Sequence, residues 1–489
     1  MTLVLVGYMG AGKSTAMRAA AKELGVDQVD ADKEFEARYG SIPAFFEAHG
    51  EAEFRAREEE LVLELLDRVP LLALGGGGVQ SARIREALAA HRVVWVDTDL
   101  ETCWNRVKHS GRPLARNRGD FVDLFFARRR LYEQVADVVV PAQAPVRQVL
   151  DVLDALPPDA RMVWAQTAGG AYPVVVGHGV RTLRLGFPGR AVTITDDQVQ
   201  GHWAPDAQIV VAAGESHKTL ATAERVWRAL ASADVTRGDH VRAVGGGVVG
   251  DLAGFAAATY QRGVPVVQVP TSVVAQVDAA IGGKTGVDLP EGKNYVGAYH
   301  QPIAVLSDLD TLETLPAAEH AAGYAEVVKT ALIAGGHLWE RVSSGAPVDA
   351  DVVFACARTK VGVVAADERD SGRRQVLNLG HTVGHALETV TGYARLRHGE
   401  AVGLGLLAAL RLSGQAGLRE QVRGLLSGAG LPVTLDGFDV DAVLAATRRD
   451  KKRTGSHVPF VLTLSPGHVV HGQEVADADV RAAVEELVA

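Results

Sequence analysis

The chain opens with a short apolar stretch that leads directly into a glycine-rich loop. Residues 3–6 are followed by Gly-Tyr-Met-Gly-Ala-Gly-Lys-Ser-Thr at residues 7–15 and then by a helical pattern. In a G-x-x-x-x-G-K-[ST] loop, backbone N–H groups surround a polyphosphate. Lys13 then reaches the outer phosphates, and the Ser14 hydroxyl can ligate Mg²⁺. Strand, loop and helix occur in the required order, so the sequence predicts an α/β phosphoryl-transfer domain that uses ATP or GTP.

Length and composition limit the number of domains, the class of partner and the compartment that we expect for this protein. A chain of 489 residues exceeds the size of one hydrophobic core, so we expect two or more domains. The net charge of −9 does not favour a nucleic-acid partner. The chain has only two cysteines, Cys103 and Cys356, which is too few for a disulfide framework. Neither an export signal nor a stretch of about 20 apolar residues is evident. These features predict a cytoplasmic protein with no membrane segment.

The distribution of apolar runs predicts three parts. Up to about residue 158, short apolar runs alternate with helical stretches, as in a parallel sheet wrapped by helices. Pro157-Pro158 ends this pattern, so we place a linker near residues 157–162, and the strand-like residues 163–176 open a second domain. We therefore predict an α/β phosphate-loop domain over 1–158, an α/β nucleotide-binding part over 159–315 and a mostly helical part over 316–489.

Two aspartates follow the second apolar run. Asp30 and Asp32 stand at i and i+2, where one carboxylate can serve Mg²⁺ through water and the other can accept hydrogen bonds from a polyol. An exposed acidic turn is the simpler interpretation of such a pair alone. Further motifs follow, however: Gly50-Glu51-x-x-Phe54-Arg55-x-x-Glu58, Gly75 to Gly78, Gly111-Arg112-Pro113-Leu114 and Arg128-x-x-Leu131-Tyr132. Together with the phosphate loop, they make residues 1–158 resemble shikimate kinase.

The resemblance implies a role for each motif. ATP with Mg²⁺ would be bound by Gly10, Gly12, Lys13, Ser14 and Thr15, with Asp30 beside Ser14 at the metal. Shikimate would be held by Asp32, Arg55, Gly76, Gly77 and Arg128, since a bidentate guanidinium suits a carboxylate. Arg112 would lie on a lid that closes over ATP and stabilises the transferring phosphoryl group. Ala115 and Gly78 depart from the usual family residues without removing a functional group.

The second half contains candidate nucleotide and metal residues. The glycine-rich run from Gly245 to Asp251 follows a strand-like segment, a context that suits a nucleotide at a helix N-terminus but also occurs in ordinary turns. Glu326 and Lys329 are at i,i+3 in a helical segment, and His381 and His385 are at i,i+4. Two histidines and one glutamate make a catalytic type of zinc site. Spacing alone favours His381 and His385 as the ligands, and the alternative is that one of them only satisfies a core hydrogen bond.

From about residue 172 to 465 the chain resembles 3-dehydroquinate synthase. The matching motifs are Gly214-Glu215-x-x-Lys218, Gly245 to Asp251, Arg262-Gly263, Pro270-Thr271, Gln276-Val277-Asp278, Gly282-Gly283-Lys284-Thr285-Gly286, Gly292-Lys293-Asn294, the Glu326 helix, Arg373-Arg374 with Asn378-x-Gly-His381, and Asp450-Lys451-Lys452. The resemblance replaces the choice made from spacing and assigns Zn²⁺ or Co²⁺ to Glu326, His381 and His398. His385 would then lie beside the substrate phosphate and its proton-transfer path.

The same resemblance assigns the other residues. NAD⁺ would be bound by Glu215, Lys218, Gly247, Asp251, Thr271, Ser272, Asp278, Lys293 and Thr314. Substrate would be held by Arg262, Lys284, Asn294, Lys360, Arg374, Asn378 and Lys452, with Lys284, Lys329, Arg374 and His385 as catalytic groups. So many cations with no acidic network nearby would be costly unless an anionic ligand compensates them. Ala279 replaces the usual serine, so one hydroxyl is missing.

The two resemblances imply a bifunctional enzyme of aromatic amino-acid precursor synthesis. Its substrates would be shikimate and 3-deoxy-D-arabino-heptulosonate 7-phosphate, the latter converted by a transient NAD⁺ oxidation, loss of phosphate and ring closure. A homodimer through the synthase half is compatible with this interpretation. One alternative makes the second half a metal- and NAD-dependent polyol dehydrogenase, against which the lysines at 284, 293, 329 and 452 argue. Another is a ligand-sensing regulatory protein, which would have degraded catalytic motifs.

Overall fold

The computed structural model describes residues 1–109, 113–448 and 459–488. The predicted lid residue Arg112 and the predicted substrate residue Lys452 lie outside the described residues. Two compact units make up the chain, Met1–Gln166 and Thr167–Ala489. Among the described helices, none combines the length and apolar character that crossing a membrane requires.

The first unit is a parallel sheet with helices connecting its strands. The strands are β1 (Leu3–Val6), β2 (Gln28–Asp30), β3 (Leu71–Ala73), β4 (Arg92–Asp97), β5 (Val138–Pro141) and β6 (Arg161–Thr167). The helices are α1 (Lys13–Leu24), α2 (Ala31–Tyr39), α3 (Ile42–Leu66), α4 (Ala82–Leu88), α5 (Leu100–Val107), α6 (Arg118–Val135) and α7 (Val146–Ala155). The strand order is β2-β3-β1-β4-β5-β6, and every pair is parallel.

This order places the phosphate loop at a point where the chain changes direction across the sheet. β1 lies between β3 and β4, so the segments that follow β1 and β3 leave the same edge of the sheet side by side. Ligands of open parallel sheets bind at this kind of edge. The strand β1 is apolar and almost wholly buried, as expected for a central strand covered on both faces.

The second unit begins with another parallel sheet. Its strands are β7 (Gly170–Gly177), β8 (Ala191–Asp196), β9 (Ile209–Val211), β10 (His240–Gly245), β11 (Val266–Pro270) and β14 (Ala304–Asp308), in the order β7-β14-β11-β10-β8-β9. An antiparallel hairpin, β12 (Lys284–Leu289) and β13 (Gly292–Tyr299), separates β11 from β14 in the chain. The helices of this part are α8 (Gln200–Trp203), α9 (Leu220–Ser232) and α10 (Gly247–Thr259).

The rest of the unit is mostly helical, as predicted. It contains α11 (Ala317–Ala334), α12 (Gly336–Ser343), α13 (Ala350–Ala366), α14 (His381–Val390), α15 (His398–Leu412), α16 (Ala416–Gly428), α17 (Val440–Thr447) and α18 (Asp477–Glu485), with a hairpin of β15 (Phe460–Ser465) and β16 (His468–Gln473). The central helix α15 is buried at Gly399 and from Ala401 to Leu410. A Cβ on Gly399 would lie 1.8 Å from the Ala322 carbonyl oxygen, so glycine lets the start of α15 press against α11.

Two local features differ from the sequence interpretation. The segment near residue 163 forms β6, which pairs in parallel with β5, so the first unit extends past the predicted linker to Gln166. The helix after β10 begins at Gly247, so Asp251 lies within α10 and not in the turn before it. Both differences arise because β-pairing and helix starts depend on neighbours that a local pattern does not reveal.

Candidate active sites

The first candidate site is built on the loop between β1 and α1. Gly10 and Gly12 have φ of 81° and 104°, a left-handed conformation that glycine adopts at little cost. The Lys13 ammonium donates to the carbonyl oxygens of Gly7 and Tyr8 at 2.7 and 3.2 Å. The lysine therefore lies against the glycine-rich backbone, where a polyphosphate would be bound.

The predicted magnesium residues lie together beside this loop. Ser14 Oγ donates to Asp30 Oδ2 at 2.8 Å. The other Asp30 oxygen accepts from the Asp32 backbone N–H at 3.2 Å, because Asp30 ends β2 and caps α2. Thr15 follows Ser14 on the first turn of α1. The hydroxyl and the carboxylate are thus adjacent, as a shared Mg²⁺ would require.

The glycine run after β3 makes room for two charged side chains. A Cβ on Gly75 would lie 2.4 Å from Asp32 Oδ1, and one on Gly77 would lie 2.3 Å from Arg55 Nη1. Arg55 also donates to Glu58 Oε2 at 2.6 Å. Burial raises the pKa of Glu58 despite the nearby Arg55 charge. The glycines are therefore needed for Asp32 and Arg55 to approach the backbone of this turn.

A second arginine approaches from α6. Arg128 is only 2% exposed, and its Nη2 donates to Gln80 Oε1 at 3.0 Å. Its Nε has no hydrogen-bond partner among the described residues, and burial lowers its pKa. Nearby, the Tyr132 hydroxyl donates to the Gly76 carbonyl oxygen at 2.6 Å. An incompletely satisfied, buried guanidinium is costly, and an anionic ligand would supply the missing acceptor.

Sequence reasoning assigned no role to three residues of this site. Glu58 lies at i+3 from Arg55, so their pairing could have been inferred from helical spacing. Gln80 carried no such signal, because its contact with Arg128 depends on how two distant segments fold. Arg106 Nη1 donates to the Gly10 carbonyl oxygen at 2.9 Å. This contact could not be predicted from the sequence either, because Arg106 lies on α5, far from the phosphate loop in the chain.

The second candidate site lies where three helices meet. Glu326 comes from α11, His381 begins α14 and His398 begins α15. Glu326 Oε1 lies 3.6 Å from His381 Nε2 and 3.4 Å from His398 Nε2. One potential ligand atom from each residue falls within 4.8 Å of the others. A carboxylate and two imidazoles in this arrangement can hold a zinc-type metal and leave a coordination position open.

His385 belongs to the same cluster in a different combination. Its ring centroid lies 5.2 Å from that of His381 and 5.8 Å from that of His398. The geometry offers a second group of three, formed by His385, Glu388 and His398. Within the described ranges, no group of three contains both His381 and His385. The two available sets therefore share His398, which spacing alone did not select.

The charges around the histidines differ from one to the next. Burial lowers the pKa of His381 well below its usual value, and the positive charge of Lys329 adds to this effect. For His398, hydrogen bonds with Glu326 and Glu388 outweigh the partial desolvation of the ring and raise its pKa to about 10. Burial would raise the pKa of Glu326, but the positive charge of Lys329 and a hydrogen bond with His398 lower it to about 2. A divalent metal would compensate the same carboxylates.

The substrate-side lysines are paired with carboxylates. Lys329 Nζ donates to Asp278 Oδ2 at 2.8 Å, and Lys360 contacts the other oxygen of Asp278. Lys284 Nζ lies 2.6 Å from Asp370 Oδ2. The expectation that these cations lack a nearby acidic network was therefore wrong, because the acidic partners come from segments distant in sequence. Burial nevertheless lowers the pKa of Lys360 to about 8.

Three of the predicted cofactor residues, Glu215, Lys218 and Asp251, lie together near the start of α10, directly after β10. Lys218 is only 3% exposed, and its Nζ lies 2.8 Å from Glu215 Oε1 and 3.3 Å from Asp251 Oδ2. It also donates to Asn294 Oδ1 at 2.9 Å. Burial raises the pKa of Asp251 to about 6, although Lys218 opposes the shift. Gly247 begins α10 beside this cluster.

Two more predicted substrate residues, Arg374 and Asn378, are held by hydrogen bonds to backbone carbonyl oxygens. Arg374 is 2% exposed and donates from Nη2 to the Gly282 carbonyl oxygen at 3.0 Å. Its Nε has no hydrogen-bond partner in the described part of the chain. Asn378 donates to the Gln375 carbonyl oxygen at 3.0 Å and lines one pocket together with His381 and His385.

The remaining predicted residues lie in the short segments that connect the main strands and helices. The Thr271 backbone N–H donates to the Gly245 carbonyl oxygen at 3.0 Å, which joins the ends of β11 and β10. Ser272 follows directly. Thr314 Oγ1 accepts from the Trp203 indole at 2.7 Å and is exposed. Arg262 is exposed in the turn after α10 with a φ of 65°.

Sequence reasoning missed Glu388, which is central to the second site. Its side chain is 2% exposed and lies 3.3 Å from His398 Nδ1 and 3.0 Å from Lys293 Nζ. His398 and Lys293 hold the pKa of Glu388 at about 2 although burial opposes them. The available signal was its position on α14, seven residues after His381 and three after His385, which places all three on one helix face.

The site geometry defines a phosphoryl-transfer unit followed by a unit with a nucleotide-binding sheet and a metal-type cluster. Residues 9–156 match the family model of shikimate kinase. Residues 208–322 and 323–453 match the models of the 3-dehydroquinate synthase N-terminal and C-terminal parts.

Individual relatives agree with these matches. The 3-dehydroquinate synthase of Bradyrhizobium sp. (strain BTAi1) is 42% identical over 354 residues, which cover 64% of this chain and 92% of that protein. That of Caulobacter vibrioides is 41% identical over 354 residues, covering 65% and 96%. A solved 2-epi-5-epi-valiolone synthase from Streptomyces hygroscopicus, with NAD⁺ and Zn²⁺ bound, is 26% identical, has a TM-score of 0.60 and covers 66% of this chain and 98% of that one.

The chain belongs to the 3-dehydroquinate synthase family and carries a shikimate kinase domain ahead of the synthase. It is a multifunctional enzyme whose two parts represent two steps of the shikimate pathway, and both act on small molecules. The alternative, a polyol dehydrogenase in the second half, is not better supported than a 3-dehydroquinate synthase.

Proposed function

We propose that the first unit, Met1–Gln166, phosphorylates shikimate with ATP, and that the second unit, Thr167–Ala489, converts 3-deoxy-D-arabino-heptulosonate 7-phosphate into 3-dehydroquinate and phosphate. Within the second unit, the residues up to 315 bind NAD⁺ and residues 316–489 bind metal and substrate. The observation that carries this proposal is the convergence of Glu326, His381 and His398 from three helices, beside a set of buried lysines. A plain structural core has no need for this combination.

In the kinase part, each group has a defined task. Lys13 and the loop backbone neutralise the ATP phosphates, and Ser14 with Asp30 holds Mg²⁺. Asp32 accepts the proton of the attacking shikimate hydroxyl. Arg55 and Arg128 bind the shikimate carboxylate, which would satisfy the buried Nε of Arg128. Arg112 is proposed to act on the transferring phosphoryl group.

In the synthase part, the residues fit the cofactors that the family uses. Glu326, His381 and His398 supply one oxygen and two nitrogen donors, which suit Zn²⁺ or Co²⁺. The N-terminus of α10 directly after β10 suits NAD⁺, with Asp251 on that helix and Lys218 beside Asp251. When bound, the metal polarises a substrate alcohol and NAD⁺ supplies a reversible oxidation.

The protein's own groups then orient substrate and move protons. Lys284, Lys360 and Arg374 hold the substrate phosphate and carboxylate, and the buried Arg374 Nε offers a donor with no protein acceptor among the described residues. His385 borders the same pocket as Asn378 and His381, so it can accept or donate a proton at the leaving phosphate. The Lys329 ammonium bridges Glu326 and Asp278 and orients both carboxylates.

We further propose that the protein works in the cytoplasm and forms a homodimer through its synthase half. The two free, buried cysteines are compatible with a reducing compartment. Size-exclusion chromatography with light scattering would measure the oligomeric state directly. A monomer at micromolar concentration would contradict the dimer.

Two assays on one purified chain test the proposed activities. Shikimate with ATP and Mg²⁺ should give shikimate 3-phosphate, and the heptulosonate phosphate with catalytic NAD⁺ should release phosphate. Because NAD⁺ is regenerated, phosphate release should far exceed the NAD⁺ supplied. Stoichiometric accumulation of NADH would instead indicate a dehydrogenase.

A further inference from the structure

Glu388 connects two parts of the synthase unit that have separate tasks. It is carried by α14, and its carboxylate is almost completely removed from solvent. One oxygen, Oε2, lies 3.3 Å from His398 Nδ1 on α15. The other, Oε1, accepts from Lys293 Nζ at 3.0 Å, and Lys293 lies on the hairpin strand β13. A buried carboxylate of this kind needs partners on both oxygens, and the fold supplies one on each.

The contact with His398 has a specific consequence for that imidazole. His398 Nε2 faces Glu326 Oε1 at 3.4 Å, while Nδ1 faces Glu388. If Nδ1–H donates to Glu388, the Nε2 lone pair is left for a metal ion. A carboxylate on the far nitrogen of a ligating histidine fixes the tautomer and the ring orientation, and it increases ligand basicity.

The contact with Lys293 extends the arrangement to the nucleotide side. Lys293 Nζ also lies 3.8 Å from Glu215 Oε1 and 4.8 Å from the centroid of the Tyr393 ring. Tyr393 has a φ of 56°, and its backbone N–H donates to the Glu388 carbonyl oxygen at 2.8 Å. The turn that ends α14 therefore brings Glu388 and Tyr393 to the same ammonium group.

We propose that Glu388 is a positioning residue that sets the Nε2 atom of His398 towards the metal and at the same time anchors Lys293. This inference rests on the proposed metal site at Glu326, His381 and His398. Glu388 itself is not a metal ligand in this account. Its Oε2 approaches the imidazole nitrogen opposite the one that faces Glu326.

Metal affinity provides a readout that does not depend on turnover. Apo protein would be titrated with Zn²⁺ against a chromophoric chelator, for the wild type and Glu388→Gln, which keeps the side-chain shape and removes the charge. We expect Glu388→Gln to bind Zn²⁺ about 10–100-fold more weakly. The control Glu420→Gln removes one exposed carboxylate from α16 of the same unit and should stay within about twofold of wild type.

Two further measurements separate positioning from a general structural role. The visible absorption bands of the Co²⁺-loaded protein should shift in Glu388→Gln, because the geometry of the His398 ligand changes. Lys293→Met should weaken NAD⁺ binding, followed by fluorescence titration, yet keep Zn²⁺ affinity within a few-fold of wild type. If Glu388→Gln does not fold by circular dichroism, Glu388→Asp keeps the charge and should show an intermediate Zn²⁺ affinity.

Several results would overturn the proposal. If the wild type binds metal and Glu388→Gln shows the same Zn²⁺ affinity and the same Co²⁺ spectrum, the positioning role of Glu388 is refuted. The proposed metal site would not be affected by that result. Complete loss of metal in Glu388→Gln together with retention in Glu326→Gln would make Glu388 a ligand, not a positioning residue. A wild-type protein that binds neither Zn²⁺ nor Co²⁺ would overturn the proposed metal site and this inference with it.

Discussion

The kinase unit and the synthase unit assemble their sites in different ways. In the first unit, the phosphate loop, the aspartate pair and the glycine run each follow a neighbouring parallel strand, so short motifs arrive together at one sheet edge. In the second unit, the metal-type cluster is carried by three helices, and the start of α11 is separated from the start of α15 by about 80 residues of sequence. A site at the edge of a parallel sheet can therefore be predicted from short sequence motifs, whereas the partners in a helical cluster are brought together only by tertiary packing.

The largest expected effect concerns the metal, where spacing and family resemblance disagree. His398→Ala should lose most bound zinc after dialysis, because a three-ligand site cannot spare a ligand. His385→Ala should keep about one metal per chain while turnover falls by about 10²–10⁴-fold, as for a lost proton-transfer group. Metal analysis of the two dialysed proteins decides between the sets. Zinc retained in His398→Ala and lost in His385→Ala would show that His385 is the ligand.

A smaller effect is expected at the glycine run of the kinase unit. Gly77→Ala should lower kcat/KM for shikimate by up to about 10²-fold, because its Cβ would lie 2.3 Å from Arg55 Nη1 and displace that guanidinium. Gly78→Ala is the matched control, since its Cβ would meet nothing closer than 3.7 Å. Steady-state kinetics with varied shikimate would measure both variants. Equal losses in the two would remove the argument for close approach at Gly77.

The two units also differ in how much of each site the sequence could predict. The phosphate loop and the glycine run were predictable because each is local and follows an apolar strand, whereas the place of Asp30 beside Ser14 was expected from the family resemblance. The partners of the lysines were not, since Asp278 meets Lys329 and Lys360 only after α11 and α13 pack. The sequence also did not predict that β6 belongs to the first sheet, because this depends on its pairing with β5.

The smallest expected effect is a pH dependence in the synthase reaction. Burial lowers the pKa of Lys360 to about 8, so this ammonium loses its proton as the pH rises through that value. Because a neutral amine binds an anionic substrate less well, KM for the heptulosonate phosphate should rise by up to about tenfold between pH 7 and pH 9. Lys360→Met should have a high KM that varies less with pH. The same rise in Lys360→Met would assign the titration to another group.

We propose that each unit contains its own complete active site, and the sharpest test is Lys13→Ala in the chain that carries both units. Both activities would be measured on the same preparation, with Lys22→Ala as a control for loss of an exposed lysine on α1. Shikimate phosphorylation should fall by about 10³-fold or more, because Lys13 stabilises charge on the ATP phosphates, while phosphate release from the heptulosonate phosphate stays within about twofold of wild type. A comparable loss of both activities would contradict two independent active sites.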